Sequence, residues 1–172
     1  MSHKEDWYQV EFTEAYVEEV KKKKIDWKQN LQGDVKTRWV GELGEEAFRL
    51  YMKTIKRPIK DKTQNGASWV DFEIDFMKVD VKTVATNYFP TEEYACNISP
   101  IQHERNKEAD TYVFARYIIP QRIVVILGWV SKHEFEINAL TRMSGDKVTE
   151  KFKTNGELME LEIKFINSLK TL

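Results

Sequence analysis

Two aspartates and a lysine near the middle of the chain have the types and the spacing to bind a metal ion and a phosphate. Asp71, Asp80 and Lys82 lie in the run WVDFEIDFMKVDVKT, from Trp69 to Thr83. Val70, Phe72 and Ile74 alternate with Trp69, Asp71 and Glu73, and Val79 and Val81 alternate with Lys78, Asp80 and Lys82. Both halves therefore read as half-buried strands, and the break at Asp75 and Phe76 predicts an antiparallel hairpin. A turn centred there sets Asp71 opposite Asp80, with Lys82 two residues along on the same face. Like charges facing each other across strands repel by a fraction of ~1 kcal/mol, and ordinary folding has no use for that. A hard divalent cation does: Mg²⁺, or Mn²⁺ in its place, turns the repulsion into shared ligation, completed by waters and phosphate oxygens. Beside such an ion the Lys82 ammonium can hold a phosphate or orient an attacking water.

The flanking elements must position these groups. A helix is expected from about Asp34 to Lys53, because Val40, Leu43, Ala47, Leu50 and Tyr51 recur at helical intervals. Inside it stands GELGEEAF, Gly41 to Phe48. Two glycines inside a helix lose about 1 kcal/mol each against Ala, which points to close packing against another element. Glu42, Glu45 and Glu46 flank the apolar stripe, Glu46 closer to it than Glu45, so the helical wheel leaves open which one reaches the site. Later, TYVFARYII and IVVILGWV around Pro120-Gln121 are near-continuous apolar runs, expected as strands covered on both faces.

An Asp, a hairpin and then Asp-Val-Lys, preceded by a helix with Gly-x-x-Gly-Glu, resembles the central signature of the PD-(D/E)XK nuclease superfamily. The later order also resembles that core: a strand, a short helix, a strand bearing Asp-Thr-Tyr-Val-Phe and a strand ending in Gly-Trp-Val. One position departs from the pattern, Val70 standing where the family often has Pro. The resemblance implies an α/β fold, a central mixed four- to five-stranded sheet flanked by helices with a restriction-endonuclease-like core. It makes Asp71 and Asp80 the acidic metal ligands, Lys82 the catalytic lysine and Glu45 a further ligand, with Glu42 or Glu46 as substitutes. The backbone carbonyl of Val81 is one more ligand by the same resemblance. The implied activity is Mg²⁺-dependent endonucleolytic hydrolysis of DNA, leaving a 5′-phosphate and a 3′-hydroxyl. Cutting both strands favours a homodimer.

The rest of the chain gives coarser expectations. Residues 1–33 read as an N-terminal helical extension of one nuclease-like domain spanning 1–172, with 1–10 a loose lead-in and Thr13 capping a helix through Tyr16, Val17 and Val20. Thr54 to Ser68 reads as a basic loop with an Asn65-Gly66 turn, and Tyr94, Cys96 and Ile98 as a short strand. Ser99-Pro100 opens a polar helix carrying Gln102, a candidate substrate contact, and His103, which has no partner at ligand spacing. Ser131 to Glu134 has capping-box spacing, 141–156 reads as loop, and Glu160 to Ile166 as a last strand.

At 172 residues and 41% apolar content, one domain with a sizeable core is expected. No run of ~18 apolar residues occurs and the first residues lack an apolar signal core, so a soluble cytoplasmic protein with no membrane partner is expected. The lone Cys96 suits a reducing compartment. A net charge of −1 does not announce a nucleic-acid binder; local runs, Lys21 to Lys24 and KRPIKDK from Lys56 to Lys62, are the candidate basic patches or else solvated faces. Two readings compete with the nuclease: a non-catalytic nucleic-acid-binding or assembly module on the same fold, and a carboxylate-pair glycosidase, against which Lys82 counts.

Overall fold

The structure is a computed structural model that describes residues 4–25, 38–63, 70–143, 145–149, 152–153 and 156–172. The Asn65-Gly66 turn, Trp69 and the expected helix start at Asp34 lie outside the described residues. In chain order the elements are β1 (Tyr8–Glu11), α1 (Glu14–Ile25), α2 (Arg38–Thr54), β2 (Lys60–Asp61), β3 (Phe72–Ile74), β4 (Met77–Thr86) and β5 (Ala95–Ile98). There follow α3 (Pro100–Arg105), β6 (Thr111–Ile118), β7 (Ile123–Ser131), α4 (Lys132–Asn138), β8 (Leu140–Arg142), β9 (Lys147–Thr149), β10 (Phe152–Lys153) and β11 (Leu158–Glu162).

The fold is α/β, and its main sheet has six strands in the order β1-β7-β6-β4-β3-β2, not four or five. β4 and β6 run parallel, and the other neighbours antiparallel. The two unexpected strands sit at the edges. β1 lies in the stretch expected to be a loose lead-in and pairs with β7 from Tyr8↔Ile126 to Glu11↔Ile123; β2 pairs Lys60↔Glu73 and Asp61↔Phe72 from the expected basic loop. Strands of four and two residues are too short to show a period of their own, so their pairing is dictated by the open edges beside them. Likewise the expected loop 141–156 contains β8 and the β9–β10 hairpin, and the last strand stops at Glu162, giving way to a 3₁₀ turn at Ile163–Phe165. β5, β11 and β8 form a separate three-stranded sheet.

Alternation along β6 divides the interior in two. Val113, Ala115 and Tyr117 pack with Val79, Val81 and Ile126 under Val40, Leu43, Ala47 and Phe48 of α2 and Val17 and Val20 of α1. Tyr112 and Phe114 turn to the other face, with Leu127, Phe135, Cys96, Ile98 and Leu161. The apolar runs in β6 and β7 are thus explained by cover on both sides. The helix starts follow their caps: Thr13 Oγ1 accepts from Tyr16 N at 3.2 Å, Ser99 Oγ from Gln102 N at 3.3 Å, and Ser131 and Glu134 make both bonds of a capping box.

The β3–β4 hairpin has the register read from the sequence, Phe72↔Val79, Glu73↔Lys78 and Ile74↔Met77. Asp75 and Phe76 close it with φ of 48° and 72°, the two left-handed residues of a type I′ turn. Asp tolerates this conformation; Phe does not, and Phe76 is 91% exposed, so it gains no packing in return. Phe76→Gly relieves about 1–2 kcal/mol of steric cost against up to about 1 kcal/mol of added chain entropy. A net gain of about 0.5–1 kcal/mol is expected, read as a thermal midpoint a few degrees higher; an unchanged or lower midpoint would contradict it.

α2 lies tightly on β4. A methyl at Gly44 would overlap the Thr83 hydroxyl and come within 2.9 Å of Thr83 Cβ, whereas one at Gly41 would meet nothing within 4 Å. Of the two helix glycines, Gly44 is the one that close packing requires, and it sets the height of Glu45 over the sheet. Among the described residues no helix is long and apolar enough to cross a membrane.

Candidate active site

At the end of β3 the chain bends at Asp71 and the ladder changes partner. The Asp71 N–H donates to Val79 O at 3.0 Å, its carbonyl accepts from Lys62 N at 2.8 Å, and its carboxylate Oδ2 accepts the N–H of Val81 at 2.7 Å. A short acidic side chain has taken the place of a main-chain acceptor. Because Val81 N belongs to the peptide that follows Asp80, Asp71 is held against the backbone between Asp80 and Lys82. The direct cross-strand opposition of Asp71 and Asp80 is thereby replaced by a contact that brings the two carboxylates together from a bend. Val81 contributes its N–H to this contact, and its side chain is buried beneath α2.

Asp80 is 5% exposed. Its Oδ2 stands 2.7 Å from Lys82 Nζ and also accepts from Asn106 Nδ2. The Oδ1 atoms of Asp71 and Asp80 have no hydrogen-bond donor among the described residues. Lys82 is less deeply set, its side chain 23% exposed, which opens the pair towards solvent.

Glu45 comes from α2. Its charge and that of Asp80 act on Asp71, and with the burial of that carboxyl, the largest cause, they push its pKa well above the ordinary 3.8; the Val81 N–H and Lys82 oppose the shift. Glu42 and Glu46 instead face Tyr16 of α1, whose hydroxyl is raised first by burial and then by those two charges. The structure thus separates three glutamates that the helical wheel left undivided: Glu45 is the one that bears on Asp71. Arg49, one turn further, orients this corner. Its Nε bonds Asp61 Oδ2 at 2.6 Å, Nη1 bonds Glu46 Oε2 at 2.9 Å, Nη2 bonds Thr63 Oγ1 at 2.7 Å, and Glu45 Oε2 lies 3.9 Å away. The guanidinium also lies over the Phe72 ring, 5.3 Å from its centroid.

The donor set is all oxygen, two carboxylates with a third acting on Asp71 and a single lysine among them, and this chemistry fits a hard divalent cation. Among the described residues no three His, Cys, Asp or Glu side chains already stand close enough to hold an ion. On Asp80 the oxygen open to a ligand is Oδ1, since Lys82 and Asn106 both meet Oδ2.

Other candidates fall elsewhere. Gln102 is exposed on α3, and the residue of that corner that enters the cluster is Asn106, the cap of α3, 1% exposed. Asn is a favoured helix C-terminal residue, and that was its only legible signal. His103 is buried between Tyr112 Oη, 3.0 Å from its Nδ1, and Glu136 Oε1, 3.1 Å from its Nε2, which accounts for it without a metal. Cys96 is packed in the second core and burial pushes its thiol up to about 12, so it carries no nucleophile. Half of the residues in the basic runs are paired: Lys21 with Glu18 at 2.7 Å, Lys23 with Glu19 at 2.6 Å, Arg57 with Asp75 at 2.8 Å and Lys62 with Glu73 at 3.5 Å. Comparisons of the chain with protein-family models, with curated proteins and with solved structures found no match.

Proposed function

We propose that the chain is a divalent-cation-dependent nuclease that hydrolyses DNA phosphodiester bonds, on a restriction-endonuclease-like core. The observation that carries this reading is the pairing of Asp71, at the bend before β3, with Asp80 of β4, whose carboxylate meets Lys82, while burial first and then the charges of Asp80 and Glu45 raise the Asp71 carboxyl well above its ordinary pKa. Mg²⁺ or Mn²⁺ bound there supplies Lewis acidity towards the scissile phosphate and the attacking water. Asp71 keeps its position through the Val81 N–H, so that its second oxygen is left to a ligand. Lys82, released from Asp80, donates to a non-bridging phosphate oxygen and steadies the charge that develops on it. Endonucleolytic cutting to a 5′-phosphate and a 3′-hydroxyl, homodimeric action on both strands and a cytoplasmic setting complete the proposal.

Half of the basic-run residues, Lys21, Lys23, Arg57 and Lys62, are already engaged by carboxylates, which weighs against a module that only binds nucleic acid electrostatically. The test is nicking of supercoiled plasmid in Mg²⁺, Mn²⁺ or chelator, with Asp80→Ala and Lys82→Met beside the wild type and folding checked by circular dichroism. Cation-dependent nicking is expected, lowered at least about 10²-fold by either substitution. Cleavage that survives both chelation and Asp80→Ala removes the proposal, and binding without cleavage in any cation favours the non-catalytic module.

A further inference from the structure

Asp80 has a second partner that the nuclease reading does not use. Asn106 closes α3, and every polar group it has is engaged. Its N–H donates to Gln102 O at 3.1 Å, its Oδ1 accepts from Ala109 N at 3.2 Å, its carbonyl accepts from Lys132 Nζ at 2.7 Å, and its Nδ2 donates to Asp80 Oδ2. The Ala109 N–H fixes which way the amide points: turned over, it would set its oxygen against the Asp80 carboxylate and its NH₂ against a donor. The amide therefore reaches Asp80 in one orientation only.

Lys132 is the first residue of α4, held by its own N–H on Asp110 O at 2.8 Å and next to the Ser131–Glu134 capping box. Its ammonium has no carboxylate partner among the described residues and is spent on the Asn106 carbonyl. A half-buried cation directed at a carbonyl is a tether for the loop that carries that carbonyl.

We propose that Asn106 is a positioning residue for Asp80, occupying Oδ2 so that Oδ1 is presented to the cation, and that Lys132 fixes Asn106 from α4. The assignment rests on the nuclease reading of the Asp71–Asp80 pair. It places a control of the site on the α3–α4 corner, on the far side of the sheet from α2 and Glu45. Partners that orient a ligating carboxylate commonly tune cation affinity without touching the ion.

The test is calorimetric titration of Mn²⁺, with no DNA present, into the wild type, Asp71→Asn, Asn106→Ala, Asn106→Ser, Lys132→Met and Lys132→Arg, each shown folded by circular dichroism. Asn106→Ala is expected to weaken Mn²⁺ binding about 10- to 100-fold, and Lys132→Met to weaken it less, with Lys132→Arg restoring affinity because it still donates to the carbonyl. Asn106→Ser supplies a smaller polar side chain if the Ala variant does not fold. Wild-type affinity in folded Asn106 and Lys132 variants, alongside loss of binding in Asp71→Asn, overturns this assignment and leaves the nuclease reading standing. Failure of the wild type to bind Mn²⁺ at a site that Asp71→Asn removes overturns both.

Discussion

Asp71→Asn is expected to raise the thermal midpoint of the metal-free protein and, in the same preparation, to abolish cation-dependent DNA cleavage. The two effects have one cause. Asp71 sets its carboxyl in a half-buried bend beside Asp80 and Glu45, and its pKa is raised by burial first and those charges second. Asn keeps an oxygen for the Val81 N–H at 2.7 Å and removes the charge. The folded-state value lies above the unfolded one, so the contribution of this group to stability is full below the unfolded pKa and is lost as pH rises through the folded pKa. The advantage of Asn is therefore largest above the folded pKa and fades as pH falls towards the ordinary carboxylate value of about 4. With solvent screening at a half-buried site the gain is about 1 kcal/mol, or about 2–4 °C, measured by calorimetry in chelator. Cleavage should fall at least about 10²-fold. A variant that is destabilised at pH 8 and still cuts would show that the cluster is a structural network rather than an ion site.

Gly44→Ala is expected to be strongly destabilising although it adds only one methyl. In an exposed helix the change would gain about 1 kcal/mol. Here the new methyl would overlap Thr83 Oγ1 and lie 2.9 Å from Thr83 Cβ, an atom that no rotamer change can move aside. α2 must lift from β4, at about 3 kcal/mol or more before the propensity gain is subtracted. A midpoint lower by on the order of 5–10 °C is expected, with activity falling further because Glu45 rises with the helix. Thr83→Ala should restore part of the loss in a double-mutant cycle. That background is mild, since the Thr83 hydroxyl is buried without a hydrogen-bond partner. Gly41→Ala, with open space around it, is the control and should be neutral or stabilising. Equal effects at the two glycines would contradict the packing described.

The contrast between those glycines marks what a sequence can and cannot carry. Period and turn chemistry reached the β3–β4 hairpin to the residue, the both-sided burial of β6 and β7, and the caps at Ser99 and Ser131, because each is encoded within a few neighbouring residues. β1 and β2 were illegible: an edge strand of four or two residues is recruited by the strand beside it. The site divides the same way. Asp71, Asp80 and Lys82 are close in the chain and could be read together. The choice of Glu45 over Glu46 depends on how deeply α2 sits on Thr83, and the contact of Asn106 with Asp80 depends on the tertiary placement of α3. Neither leaves a periodic trace. Even at Asp71 the ladder logic held only as far as Phe72, because a carboxylate can outcompete a carbonyl for a strand N–H.

The central claim is that Asp71, Asp80 and Glu45 share a hard cation, and diffraction from crystals soaked in Mn²⁺, recorded for its anomalous signal, addresses it most directly. The account predicts a peak about 2.1 Å from an oxygen of Asp71 and of Asp80, with Lys82 turned away from Asp80 and no such peak in Asp71→Asn crystals. Mn²⁺ found only at other surface carboxylates, with the Asp80–Lys82 pair still closed at 2.7 Å, would contradict it.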